Sequence, residues 1–168
     1  MNSSGVKPRP DVTLRPMVAE DLPFLLAVYA STREEELARV PWTAEQKAGF
    51  LRQQFEAQHA WWQENYGGST FDVIEIGGER AGRFYVHRGP RAIRVVDIAL
   101  LAAHRGSGFG SWLLRGLFVE GDATEKAVSV HVEKFNPARA LYHRLGFREI
   151  EDKGVYILME RPVGGVPA

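Results

Sequence analysis

Arg105-Gly106-Ser107-Gly108-Phe109-Gly110 lies between a Val/Ile-rich run and an amphipathic run carrying Trp112, Leu113, Leu114 and Leu117. Three alternate glycines after an arginine, at a change from strand-like to helical periodicity, mark a strand exit that opens directly into a helix. A helix N-terminus presents unpaired N–H groups and a partial positive charge, which suits a phosphate. Glycines let the backbone approach an anion closely, and Arg105 adds a full charge. The stretch therefore reads as a pyrophosphate cradle. The plainer alternative is a tight turn that needs glycines for its own geometry. Two familiar phosphate loops do not fit. A Walker A loop continues with Gly-Lys-Ser/Thr, whereas Gly110-Ser111-Trp112 stands here. A dinucleotide fingerprint spaces its glycines as G-x-G-x-x-G at the start of a parallel unit, whereas Gly106, Gly108 and Gly110 alternate.

Upstream of the loop, Thr70 to Ile76, Arg80 to His87 and Ala92 to Leu101 are strand-like runs separated by Gly77-Gly78 and Gly89-Pro90. This predicts an antiparallel meander. Before it, Asp11 to Pro16 reads as a short strand. Leu22, Leu25, Leu26 and Tyr29 follow at helical spacing until Pro41 interrupts the pattern. Thr43 with Gln46 forms a capping-box signature for a second helix ending near Asn65, before Gly67-Gly68. Downstream, Ala127 to Val132 reads as a buried strand. Asn136 is placed as N-cap with Pro137 at the first helical position, and Gly146 ends that helix. Phe147 to Ile150 and Val155 to Glu160 close the series as strands. The predicted fold is α/β (α+β), a mixed sheet of about seven strands with about four helices on its two faces.

Composition narrows the function classes. The chain has 168 residues, 45% of them hydrophobic, enough for one well-filled domain over 11–161 with Gly/Pro-rich flexible tails at 1–10 and 162–168. Twenty-one basic residues balance 21 acidic ones, which disfavours a generic nucleic-acid binder or an electrostatically held membrane protein. There is no cysteine, so disulfides, thiolate metal sites and a cysteine nucleophile are excluded. His59, His87, His104, His131 and His143 lack the spacing of one metal site, and no metal is expected. The longest apolar run, Ile98 to Ala103, is too short to span a bilayer, and MNSSGVKPRP lacks the apolar stretch of a signal peptide. A cytoplasmic protein is the expectation.

The loop resembles the signature of the GNAT superfamily of acyl-CoA-dependent N-acyltransferases, Arg/Gln-x-x-Gly-x-Gly/Ala, at Arg105, Gly108 and Gly110. A second stretch, Asn136-Pro-Ala-Arg-Ala-Leu-Tyr142-His-Arg-Leu-Gly146-Phe147, is similar to the family's next motif, N-x-x-A-x-x-x-Y before a helix-ending Gly-Phe. The family commonly has a proline three residues before the loop arginine, where this chain has Ala102.

The resemblance implies a sheet splayed between its fourth and fifth strands, with the pantetheine arm of acetyl-CoA between them. It implies that Arg105, Gly106, Ser107, Gly108, Phe109, Gly110 and Ser111 cradle the pyrophosphate. Backbone groups near Leu100 and Leu101 would hold the arm and polarise the thioester carbonyl, while both side chains also read as ordinary core. Tyr142 falls where the family often places a tyrosine that protonates or hydrogen-bonds the CoA sulfur; its alternative role is to pack under the Gly146-Phe147 turn. Asn136 is either a CoA contact or the helix cap. Asp97, in an apolar strand, is a candidate general base or one half of a buried salt bridge. Glu75, Glu133, His87, His131 or an ordered water are the other base candidates. With no cysteine there is no acyl-cysteine intermediate, which favours direct attack in a ternary complex.

The implied activity is N-acetyl transfer from acetyl-CoA to a primary amine, in a small molecule or a protein. The rivals are a non-catalytic acyl-CoA-binding regulatory domain of the same fold, and a nucleotide-phosphate binder without acyl chemistry. Acceptor choice would come from Ser31 to Trp42 and from the last strands. There, Glu34, Glu35 and Glu36 either attract a cationic amine or form a solvated helix face. Trp42, Phe50, Trp61 and Trp62 read as pocket lining or as core and an interface, and their helical spacing favours core. Four tryptophans and the family's habit of pairing edge strands point to a homodimer.

Overall fold

Local signals place most elements in the computed structural model, which describes residues 8–165. Strand β1 (Val12–Pro16) is followed by a 3-10 turn and α1 (Leu22–Thr32), which tolerates Pro23 because the N–H that proline lacks has no intrahelical partner there. Helix α3 (Ala44–Asn65) begins at the expected capping box: the Gln46 N–H donates to Thr43 Oγ1 at 3.1 Å and the Thr43 N–H to Gln46 Oε1 at 2.9 Å. Strands β2 (Thr70–Ile76), β3 (Glu79–Arg88) and β4 (Ala92–Leu100) form the meander. Helix α4 (Phe109–Thr124), β5 (Ala127–Glu133), α5 (Ala138–Leu145), β6 (Arg148–Asp152) and β7 (Tyr156–Arg161) complete the chain. The hydrogen-bonded strand order is β1-β2-β3-β4-β5-β7-β6, with β4 and β5 parallel and β1–β2, β5–β7 and β6–β7 antiparallel.

Two elements differ from expectation. A fifth helix, α2 (Glu34–Ala38), stands between the first two expected helices, on the acidic run offered as a solvated helix face. Its three glutamates occupy the first turn, where the helix dipole favours negative charge, and Leu37 is buried. Helix α5 starts one residue late, with Pro137 at the N-cap position. Asn136 still performs the capping, since its Oδ1 accepts the Ala138 N–H at 2.9 Å.

The chain forms two compact units, and β3 and β4 each run from one into the other. One unit comprises Pro10–Tyr85 and Ile98–Arg105. Its core holds Leu25, Tyr29, Phe55 and Val73, with Leu22, Leu26 and Leu51 packed against them. The other comprises, among the described residues, 8–9, Val86–Asp97 and 106–165. There Leu113, Leu114, Leu117 and Phe118 of α4 are buried, as are Val128, Val130 and Val132 of β5 and Ile157 and Met159 of β7.

The tryptophans correct the sequence reading. Trp42 and Trp61 are exposed, with edge contacts to Phe50 and Tyr66, so helical spacing alone did not bury them. Trp62 meets the buried Tyr85 edge-on at 5.6 Å.

Of the expected tails, 1–7 and 166–168 lie outside the described residues. Within the described part, the Arg9 guanidinium donates to the Ser107 carbonyl and the Gly164 N–H to Asp122 Oδ1. Among the described residues, no helix is long and apolar enough to cross a membrane.

Candidate functional site

The segment from Leu100 to Ser111 is shaped by three local events. Strand β4 ends at Leu100, and Ala102–His104 form one 3-10 turn. Arg105 is extended, at φ −81° and ψ 155°. Gly106 and Gly108 then take positive φ, at 79° and 80°, a conformation that any side chain would strain. Gly108 is the N-cap of α4, so the N–H groups of Phe109, Gly110 and Ser111 fall in its first turn and have no intrahelical acceptor. Gly106, Ser107 and Gly108 are exposed and Phe109, Gly110 and Ser111 half-buried, so these donors lie at the inner end of an exposed loop.

Within its own unit, the loop carries a cation that sequence reading assigned to a flexible tail. Arg9 Nη2 donates to the Ser107 carbonyl at 3.0 Å, and the guanidinium lies 4.6 Å from the centre of the Phe109 ring. A Cβ added at Gly108 would come within 3.4 Å of Arg9 Nη2. The one local signal is the Pro8-Arg9-Pro10 sequence, whose prolines restrict the backbone around the arginine.

In the other unit, Arg105 makes different contacts. Its Nε donates to the Leu100 carbonyl at 2.8 Å and its Nη2 to Ser31 Oγ at 3.4 Å. The Leu101 N–H donates to the Ala81 carbonyl at 2.9 Å. Leu100 and Leu101 are half-buried rather than core. Beside them, β3 and β4 come unusually close: a Cβ at Gly82 would lie 2.1 Å from the Ala99 carbonyl oxygen and 3.0 Å from Leu100 Cα.

The β4–β5 pairing runs from Ala92↔Ala127 to Val95↔Val130 and no further along either strand. Asp97 follows two residues after the last pair and is half-buried. Tyr142 on α5 is 7% exposed, with its ring centre 5.4 Å from that of Phe147. The Phe147 N–H donates to the Tyr142 carbonyl at 3.0 Å, and Gly146 at φ 101° ends the helix. The packing role expected of Tyr142 is therefore present. Burial, and secondarily the Asp97 charge, push its hydroxyl up to about 12. It carries its proton throughout the neutral range.

Of the other base candidates, Glu75 accepts an ion pair from Arg15 Nε at 2.7 Å. His131 is held below the ordinary histidine value by burial and then by Arg94, so it is neutral at pH 7. Glu133 is exposed at the end of β5, and His87 is half-buried on β3. Glu36 is tied to Arg33 at 2.6 Å, and Arg33 Nη1 also donates to the Tyr29 hydroxyl at 2.5 Å. That carboxylate of the acidic run is thus already paired. Among the described residues, no three histidine or acidic side chains gather as metal ligands would.

Residues 67–149 match the family model for the acetyltransferase (GNAT) domain. No curated protein matches the chain significantly in sequence. Among solved structures, PaiA N-acetyltransferase from Thermoplasma acidophilum, in complex with coenzyme A, is 15% identical. It superposes with a TM-score of 0.68 over 90% of this chain and 98% of its own. An acetyltransferase from Thermus thermophilus is 21% identical, with a TM-score of 0.65 over 90% of this chain and 96% of its own. The ribosomal-protein-S18-alanine N-acetyltransferase of Escherichia coli is also 21% identical, with a TM-score of 0.59 over 90% of this chain and 94% of its own. These likenesses establish a shared fold.

Proposed function

Because the chain belongs to the GNAT acetyltransferase family, we propose that it moves an acetyl group from acetyl-CoA to a primary amine. The observation that carries this reading is the loop: two exposed glycines at positive φ lead straight into a sixteen-residue helix whose first N–H groups have no intrahelical acceptor. That arrangement fits a diphosphate, which needs several donors at once and a backbone without side chains in the way. The proposal takes residues 11–161 as one acetyltransferase domain with tails at 1–10 and 162–168. In its support, the family match at 67–149 runs through both units.

Bound acetyl-CoA would supply an activated thioester. The chain's part is to bind, orient and manage protons. Gly106 to Ser111 hold the diphosphate through backbone N–H groups, and Arg105 adds charge once its guanidinium leaves the Leu100 carbonyl. That exchange also releases the Leu100 carbonyl to pair with an extended ligand arm. The Leu101 N–H stays with Ala81 and steadies the end of β4. Tyr142 supplies a proton to the departing sulfur. Asp97 acts on Tyr142 through its charge and is retained as a candidate acceptor of the amine proton, while Asn136 combines its cap with a contact to CoA. The lack of any cysteine supports direct transfer in a ternary complex.

The acceptor, a small-molecule or protein amine, belongs to the proposal, as do edge-strand dimerisation and a cytoplasmic location. The Escherichia coli neighbour's protein amine acceptor supports the broad class. Calorimetric titration with acetyl-CoA, with Arg105→Glu as control, combined with thiol release over an amine panel, tests the reading. Binding that Arg105→Glu weakens, followed by amine-dependent thiol release, is expected. Binding without release from any amine identifies a non-catalytic acyl-CoA-binding domain. Absence of binding at high concentration overturns both.

A further inference from the structure

We propose that Arg9, reaching the loop from outside the signature motif, is a diphosphate-binding residue that clamps the ligand against the backbone of Ser107 and Gly108. The inference rests on the acyl-CoA reading above and adds a residue that the motif does not contain. Three observations place this guanidinium. Its Nη2 donates to the Ser107 carbonyl at 3.0 Å, its Cζ lies 4.6 Å from the centre of the Phe109 ring, and Nη2 stands 3.4 Å from a Cβ position at Gly108. Stacking and one hydrogen bond hold the planar fork, while a guanidinium has five N–H donors. The donors not used on Ser107 stand beside the head of α4, whose first N–H groups have no intrahelical acceptor.

The motif's arginine is engaged elsewhere. Arg105 donates to the Leu100 carbonyl and to Ser31 Oγ. Among the described residues, Arg9 is a cation in contact with Ser107, Gly108 and Phe109. An arginine suits the position better than a lysine, because the ring face and a bidentate phosphate both match a planar fork. A side chain at Gly108 would meet Arg9 Nη2 at ordinary contact distance, and the positive φ is what strains any residue but glycine there.

The test is calorimetry on the full chain with Arg9→Ala and Arg9→Lys, using CoA and, as a probe without the diphosphate, pantetheine. Arg9→Ala should weaken CoA about tenfold or more and flatten its salt dependence, as expected when a charge-assisted contact is lost. Arg9→Lys should recover only part of that loss, and pantetheine should bind wild type and variants alike. If wild type binds CoA and Arg9→Ala binds it equally well, the clamp is wrong and the acyl-CoA reading stands. Tighter binding by Arg9→Ala also overturns the clamp, because Arg9 would then be shielding the loop. An equal loss for pantetheine overturns it as well, since the contact would not be to the diphosphate. If wild type binds no CoA, both inferences fall together.

Discussion

Replacing Tyr142 by phenylalanine removes one oxygen and little else. The ring is 7% exposed and its centre lies 5.4 Å from that of Phe147, so phenylalanine keeps the packing under the Gly146 turn. Stability should change by no more than about 1 kcal/mol, the scale of a single neutral hydroxyl interaction. Chemistry should change far more. With its ionisation pushed up to about 12, the hydroxyl is deprotonated in fewer than about one molecule in 10⁴ at neutral pH, so the acid form is always ready. Losing a positioned general acid lowers turnover roughly 10²–10⁴-fold. Thiol release in single-turnover mode, where the chemical step limits the rate, measures this directly. An alkaline absorbance titration supplies an independent readout: of the five tyrosines, the component near pH 12 should vanish in Tyr142→Phe. Asp97→Asn should move that component downward but keep it above 10, because burial is the larger cause and remains. Near-wild-type single-turnover rates for Tyr142→Phe would refute the acid role.

Two further predictions concern the frame that holds the site. Asp21 is 2% exposed and accepts from Arg15 Nη1 at 2.7 Å, Arg15 Nη2 at 2.9 Å, Arg80 Nη1 at 3.3 Å and the Val18 N–H at 2.9 Å. Asp21→Asn should cost about 3 kcal/mol in a urea melt, the lower end for breaking a buried pair, because Arg15 is partly solvated. Arg15 holds the Asp21 carboxyl well below the usual carboxylate range. Its contribution is therefore complete above the unfolded value near 4 and is lost as pH falls toward the folded one. The variant should show a shallower loss of stability below pH 4, and parallel acid profiles would refute this. Gly82→Ala places a methyl group 2.1 Å from the Ala99 carbonyl, so β3 and β4 must part. A loss of about 1–3 kcal/mol, with faster amide exchange at Leu101, is expected; an unchanged denaturation midpoint would show that the strands separate without strain.

Legibility followed distance along the chain. The Thr43–Gln46 capping box, the Gly77-Gly78 turn and the Gly146 helix end were readable because each is decided within a few residues. Helix α2 was legible only as a solvated acidic face and not as a separate element, because the burial of Leu37 and the pairing of Glu36 with Arg33 are not in the local pattern. The exposed Trp42 and Trp61 were misread because periodicity names a helical face without saying what lies against it. Leu100 and Leu101 were readable as a strand end, but their half-burial and hydrogen-bond partners were not.

The sequence by itself determined the order of elements, the glycine loop at the head of α4, and the phenol at position 142 on a short helix. Spacing, capping and φ preference act over four residues or fewer, so they are present in the linear order. Tertiary structure alone decided that Arg9 rests on Ser107 and Phe109, that the Asp97 charge acts on Tyr142, and that β4 pairs with β5 only as far as Val95. Arg9 and Ser107 stand 98 residues apart in the chain. Such contacts depend on which surfaces meet once the apolar faces are buried, and no local pattern carries that information.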